Sequence, residues 1–228
     1  MTTLKVQNLI FSWPGSENAT LRIPDLSLDQ GERMFLFGPS GCGKSTLLSA
    51  IAGVVDVAPG AILVADKDVG AVKGGALDRF RVDHIGMIFQ VFNLIPWLTP
   101  VENVLLPCTF STRRRERAGE NPERTAQRLL DELGLSDPSL GLKKAIELSV
   151  GQQQRVAAAR ALIGAPDLIL ADEPTSALDE DAKASFVDLL GQECAASGTA
   201  LLFVSHDRSL ERHFDRSVNF NDLNRGAT

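Results

Sequence analysis

Arg33-Met34-Phe35-Leu36-Phe37-Gly38-Pro39-Ser40-Gly41-Cys42-Gly43-Lys44-Ser45-Thr46 runs from an apolar stretch straight into a glycine-rich turn. Arg33–Phe37 reads as a strand. Lys44 to Gly53 reads as a helix, with Leu47, Leu48 and Ile51 at helical spacing and Gly53 as its stop. Between them the spacing Gly38-x4-Gly43-Lys44-Ser45 is that of a phosphate-binding loop. Glycines let backbone N–H groups turn inward with no Cβ in the way. The helix that follows aims its partial positive charge at the same anion. Gly38, Pro39, Ser40, Gly41, Cys42, Gly43, Lys44, Ser45 and Thr46 are therefore expected around a nucleoside triphosphate. Lys44 is placed to reach its β- and γ-phosphates, and the Ser45 hydroxyl to bind Mg²⁺.

Working outward, Leu4–Phe11 partly alternates as a half-exposed strand does, Pro14–Asn18 is a turn, and Leu26-Ser27-Leu28 alternates again. Ala61–Val64 and His84–Phe89 read as two further strands. From Gln90 to about Leu140, Pro96, Pro100, Pro107 and Pro122 break the chain into short pieces, with one helix expected over Pro122–Leu133. After Ser149 come a helix through Arg160, a strand ending at Asp172, a helix through about Cys194, and the strand Ala200–Val204 leading to Ser205-His206. Such alternation implies a parallel core sheet covered by helices, an α/β fold with a helical insertion. No internal repeat or low-complexity tract interrupts it.

The chain has 228 residues, 44% hydrophobic and 23% charged, with a formal net charge of -6. That is ordinary globular composition and argues against a general nucleic-acid-binding surface. No stretch approaches the ~18 apolar residues of a membrane-spanning helix, and Met1–Val6 lacks the layout of a secretory signal. A cytosolic protein is expected, with any membrane part supplied by other polypeptides. Cys42, Cys108 and Cys194 form neither a disulfide framework nor a zinc pattern. Cys42 lies in the phosphate loop, incidental there or a point of attack for thiol reagents.

Further along stands Leu148-Ser149-Val150-Gly151-Gln152-Gln153-Gln154-Arg155, then Arg160-Ala161-Leu162, then the apolar strand Leu168–Ala171 closing on Asp172-Glu173. Gln90 follows one core strand, Ser205-His206-Asp207 follows another, and Ser176-Ala177-Leu178-Asp179 lies between. In this order the motifs resemble the ATP-binding cassette (ABC) ATPases, from about Leu4 to Val218. The resemblance implies a P-loop NTPase of the ABC ATPase fold: a RecA-like core, an N-terminal antiparallel β subdomain and an inserted α-helical subdomain. It implies one domain over 1–228, with 1–90 and 150–228 as the α/β core with its β subdomain and about 91–149 as the helical part.

The same resemblance assigns roles. Asp172 holds Mg²⁺ together with Ser45 and Gln90. Glu173 polarises the attacking water, Gln90 senses the metal and that water, and His206 contacts the γ-phosphate; Glu173, His206, Gln90 and Lys44 are the catalytic set. Ser149, Gly151 and Gln152, at a helix start suited to anions, close over ATP held by a second copy. Asp179 belongs to a loop crossing that head-to-tail homodimer interface. Trp13 is the candidate for stacking on adenine, with Phe11 as the fallback. The usual signature has two glycines, and Val150 replaces the first. A β-branched residue disfavours positive φ, so closure or hydrolysis is expected to be slower if the first glycine serves backbone flexibility, while the retained Ser149 and Gly151 favour a working signature over a dead one.

The wording Phe89–Pro96 and Leu98–Val104 resembles the subfamily of lipoprotein-releasing, macrolide-exporting and cell-division complexes, whose permeases are FtsX-like. It implies a subunit peripheral on the cytoplasmic side of the inner or plasma membrane, driving export or extraction of a lipid-linked or hydrophobic cargo. The alternative is a non-transport ABC ATPase regulating an envelope or cell-division partner. Val91, Phe92, Leu94 and Trp97 line a permease groove in this reading, or else pack within the helical part. Arg113-Arg114-Arg115-Glu116-Arg117 meets acidic headgroups or the permease, or is a solvated face. A two-cassette ribosomal factor, a coiled-coil DNA-repair ATPase and a P-loop kinase each fit less well, the kinase because Leu148–Gln152 would have no task.

Overall fold

The computed structural model describes residues 1–225. Strands β1 (Thr2–Phe11), β2 (Leu21–Asp29), β4 (Ile62–Val64) and β5 (Lys67–Asp68) form an antiparallel sheet in the order β2-β1-β4-β5. Strands β3 (Arg33–Phe37), β6 (Ile85–Ile88), β7 (Leu168–Asp172), β8 (Ala200–Ser205) and β9 (Arg216–Asn219) form a parallel sheet in the order β6-β7-β8-β3-β9.

The inner strands β7, β8 and, after Arg33, β3 are apolar at successive positions because both faces are covered, whereas the edge strand β9 is mostly polar. Alternation sorts them. Met34, Leu36, Leu168, Leu170, Leu202 and Val204 join the core shared with the antiparallel sheet and α1 (Lys44–Ile51). Phe35, Ile169, Ala171, Leu201 and Phe203 point the other way, into a second core with the helices. Each fully buried Leu or Phe contributes roughly 1.5–3 kcal/mol.

The second core is completed by α3 (Pro100–Phe110), α5 (Pro122–Glu132), α6 (Val150–Leu162) and α7 (Glu180–Ser197). Helices α2 (Gly75–His84), α4 (Thr112–Arg117) and α8 (Phe220–Leu223) are the remaining α-helices among the described residues, with short 3-10 turns at Pro138–Leu142, Ala145–Glu147 and Arg208–His213. The sequence reading treated Pro100 and Pro107 as breaks, but both lie in α3. Pro100 occupies the first turn, where its missing N–H costs nothing, behind a capping box between Thr99 and Glu102. Pro107 is tolerated inside an otherwise apolar helix. Helix α2 was also unforeseen; it takes His84 from the expected strand, so β6 begins at Ile85.

Strand order places the site. Phe37 lies opposite Ser205, and Asp172 opposite Val204. The residues after β3, β7 and β8 therefore meet at one carboxyl edge, where open α/β sheets bind ligands.

Candidate active site

The loop after β3 turns into α1 at Gly43, whose φ of 109° is closed to most side chains. A Cβ at Gly43 would also reach Leu21 and Phe220 at 3.4 Å. Lys44, 6% exposed, donates from Nζ to the carbonyl oxygens of Gly38 and Pro39, each at 2.8 Å, with Cys42 Sγ 3.9 Å away. The ammonium is thus held inside its own loop by acceptors that a phosphate oxygen could replace.

Asp172 closes β7 beside the first turn of α1. Burial pushes its carboxyl above the usual carboxylate range; a hydrogen bond from the Ser45 hydroxyl and the nearby Lys44 charge oppose that, while Glu173 adds to it. Its Oδ1 is buried with no hydrogen-bond partner. An unpaired buried carboxylate oxygen is costly, and the oxygen donors of Asp172 and Ser45 fit a hard cation.

Glu173 adopts a left-handed backbone (φ 46°), pinned by its N–H donating to Val204 O at 2.9 Å. This turns its side chain toward β8. Glu173 Oε2 accepts from the Ser205 hydroxyl at 3.2 Å and lies 2.9 Å from His206 Nδ1. Two candidates that the sequence assigned separate tasks are therefore partners here. Asp207 is anchored by Lys183 Nζ at 2.8 Å, and that bond and one from Ser209 bring its carboxyl down to about 2.

Ser149 is the N-cap of α6: its hydroxyl accepts from the Gln152 N–H at 3.3 Å, and Gln152 Oε1 accepts the Ser149 N–H at 2.9 Å. A Cβ at Gly151 would meet only Leu178 Cδ2, at an ordinary 3.5 Å, so this chain itself does not demand glycine there. Asp179 is exposed and caps α7 through the Ala182 N–H. Gln90 lies exposed on the bend after β6, with no side-chain hydrogen bond to the other candidates among the described residues. Trp13 follows β1, 46% exposed, edge-on to Phe11 with ring centroids 5.1 Å apart. Phe11 is half-buried against the core and pairs with Leu21, the residue beside Gly43, so both aromatics lie toward the phosphate loop.

A model of the ABC transporter family matches residues 21–176. The chain belongs to that family. It is 39% identical over 198 residues to the lipoprotein-releasing system ATP-binding protein LolD of Syntrophotalea carbinolica, covering 87% of this chain and 85% of that protein. It is 37% identical over 210 residues to the macrolide export ATP-binding/permease protein MacB 2 of Aeromonas hydrophila subsp. hydrophila, covering 91% of this chain and 31% of that longer protein. The ATP-binding cassette MJ0796, in a dimeric post-hydrolysis state bound to ADP and Pi, superposes with a TM-score of 0.81 at 34% identity, over 95% of this chain and 93% of that one. This ABC cassette binds and hydrolyses ATP as part of a transporter, and its fold is that of the ABC ATPases.

In this ABC cassette two sequence expectations change. Val150 is the first residue of α6 and is absent from the positive-φ residues, so the backbone objection to a β-branched side chain falls away. The arginine-rich run is not simply a solvated or lipid-facing surface. Arg113 donates to both Asp167 oxygens at 2.9 Å, Arg117 donates to Ala165 O at 2.6 Å, and Arg114 is buried; only Arg115 and Glu116 face outward without such bonds. Sequence reasoning gave Ser205 no positive role and overlooked Arg160, which donates to Asn93 O at 2.6 Å and Phe92 O at 2.7 Å. The signal for Ser205 was its place at a strand end beside His206. Arg160 carried none beyond its position in the signature helix.

Proposed function

We propose that this cassette dimerises head-to-tail around two Mg·ATP and drives a separate membrane permease of FtsX-like architecture. The open N-terminus of α6 carries the dimer reading. Ser149 and Val150 are exposed, and Gly151 has room beside it within its own chain, which leaves the helix start open to a second copy. Free N–H groups and the helix dipole suit a γ-phosphate presented by a second copy.

Within each pocket Lys44 exchanges the Gly38 and Pro39 carbonyls for phosphate oxygens. Ser45, Asp172 and Gln90 would hold Mg²⁺, which would supply positive charge to the triphosphate. Glu173 positions the attacking water, and His206 meets the γ-phosphate. Alignment and charge stabilisation dominate phosphoryl transfer. ATP favours the closed dimer through its differential affinity for the two states, and hydrolysis reopens it. Trp13 stacks on adenine, and Asp179 lies at the dimer seam.

The permease reading is supported by exposed apolar side chains where the chain leaves β6. Val91 (75% exposed), Trp97 (69%) and Ile146 (72%) lie together, because the Ala145 and Ile146 N–H groups bond to Leu98 O and Pro96 O. A cavity of ≈ 300 Å³ opens there, lined by Val91, Leu94 and Ile146 among others. No helix among the described residues is long and apolar enough to cross a membrane. In this reading the helical part that carries the face is residues 91–149. The names of the relatives favour a lipid-linked or hydrophobic cargo, exported or extracted.

The test is light scattering on Glu173→Gln with and without Mg·ATP, alongside purification of the native complex from membranes. A nucleotide-dependent dimer that brings an FtsX-like permease supports the proposal. A monomer under saturating ATP, or full activity as a monomer, overturns it.

A further inference from the structure

At the end of β8 a chain of hydrogen bonds runs from α7 to Glu173. Lys183 lies one turn into α7, and its N–H donates to Asp179 O at 2.9 Å. Its Nζ donates to Asp207 Oδ2 and to Glu180 Oε1, each at 2.8 Å. The Lys183 side chain is 16% exposed and that of Asp207 23%, so this pair is better shielded than an ordinary surface ion pair. The bond to Asp207, and then that to Glu180, raises the Lys183 ammonium above its ordinary range.

Asp207 uses its other oxygen within its own turn. Oδ1 accepts from the Ser209 N–H at 3.1 Å and from the Ser209 hydroxyl at 2.7 Å. With both oxygens taken, the Asp207 backbone is held, and its N–H donates to Ser205 Oγ at 3.1 Å. Ser205 is 1% exposed. A hydroxyl has one proton to give. With the Asp207 N–H at its oxygen, the Ser205 hydroxyl gives that proton to Glu173 Oε2, 3.2 Å away. His206 Nδ1 stands 2.9 Å from the same oxygen. Among the described residues no side-chain hydrogen bond reaches Glu173 Oε1.

We propose that Lys183 is a positioning residue for hydrolysis: through Asp207 and Ser205 it fixes which oxygen of Glu173 is engaged by the protein and which is left for water. This rests on the reading that Glu173 positions the attacking water. Without the ammonium, Asp207 loses the bond that ties its turn to α7. Its N–H then moves off Ser205, and the hydroxyl turns to other acceptors. The Glu173 carboxylate rotates, and alignment, on which phosphoryl transfer depends, is lost. Lys183 acts only through these residues, so ATP binding in the phosphate loop is untouched.

The full chain carries three histidines, so NMR separates their ring signals. In the nucleotide-free protein Lys183→Met should shift the His206 ring signals, because the Glu173 oxygen beside that ring has moved. Those of His84, which Asp167 holds, should stay in place. Ser205→Ala should also shift His206, and the double variant no further than Ser205→Ala alone, as residues in one network are non-additive. With Mg·ATP, Lys183→Met should lower kcat about ten-fold with KM for ATP unchanged. Added to Glu173→Gln, it should slow turnover no further. Unmoved His206 signals, an unchanged kcat, a loss confined to KM, or further slowing of Glu173→Gln would each overturn the proposal. Glu173→Gln alone separates the two readings. If it keeps wild-type turnover, the role of Glu173 falls and this proposal with it; if it is inactive while Lys183→Met is fully active, only this proposal falls.

Discussion

His206 Nδ1 lies 2.9 Å from Glu173 Oε2 across the end of the parallel sheet. The pairing follows from backbone geometry. Glu173 is locked by its left-handed φ and its bond to Val204, while His206 follows directly from the neighbouring strand. Glu173→Gln is expected to retain ATP, trap the dimer and lose ~10²–10⁴-fold in turnover, the usual range for a positioned acid or base. Single-turnover kinetics with unaltered ATP binding check it; turnover within a few-fold of wild type refutes the role.

Lys44→Ala removes the ammonium that binds the loop carbonyls and, with ATP present, the phosphates. A charge-assisted hydrogen bond contributes ~1.5–3 kcal/mol, so ATP affinity should fall by ~10–10²-fold. Isothermal titration reads this directly, and unchanged affinity removes the loop assignment.

Asp172→Asn should separate stability from function. The raised pKa means that ionised Asp172 is disfavoured in the fold, so this carboxylate opposes folding above its ordinary titration range. Neutralising it is expected to stabilise the nucleotide-free protein by ~1 kcal/mol, ~2–4 °C in Tm, while abolishing Mg²⁺-dependent hydrolysis. Differential scanning fluorimetry with and without Mg·ATP tests both halves; a lower Tm in the nucleotide-free protein contradicts the first.

Gly151→Ala tests the second copy. A methyl group fits inside this chain, and alanine outranks glycine in a helix by ~1 kcal/mol. Thermal stability should hold or rise while ATP-dependent dimerisation weakens at least several-fold. Unimpaired dimerisation and ATPase activity would show that nothing outside the chain closes over that glycine.

Asp207 carries a pH dependence of known sign. Its carboxyl titrates at about 2 in the fold, held down by Lys183 and Ser209, against an ordinary ~3.9. Its contribution is therefore present above about pH 4 and is lost as pH falls toward 2. The pair is partly exposed, so the contribution is held to ~1 kcal/mol. Carboxyl NMR titration of Lys183→Met should move Asp207 back toward its ordinary value; an unmoved titration excludes the pair as the cause.

The order of chemistry along the chain was legible because it is local. A glycine-rich turn between an apolar strand and a helix needs only neighbours in sequence, and so does Asp172 at the end of Leu168–Ala171. Where reading failed, the deciding partner was remote or the residue type ambiguous. Pro100 signals a break as readily as a helix start; the capping box Thr99–Glu102 was the overlooked cue. The arginines at 113–117 look solvated until Asp167 and Ala165, some fifty positions away, are folded against them.

The sequence by itself determined an ABC cassette: the phosphate loop, the signature helix start and the strand-end acids. Tertiary structure alone decided that His206 rests on Glu173, that Arg114 is buried, and that Val150 sits in an ordinary helical turn. The physical reason is that side-chain pairing and burial depend on which strands and helices become neighbours. The order β6-β7-β8-β3-β9, which sets those neighbours, is a product of packing the whole chain at once.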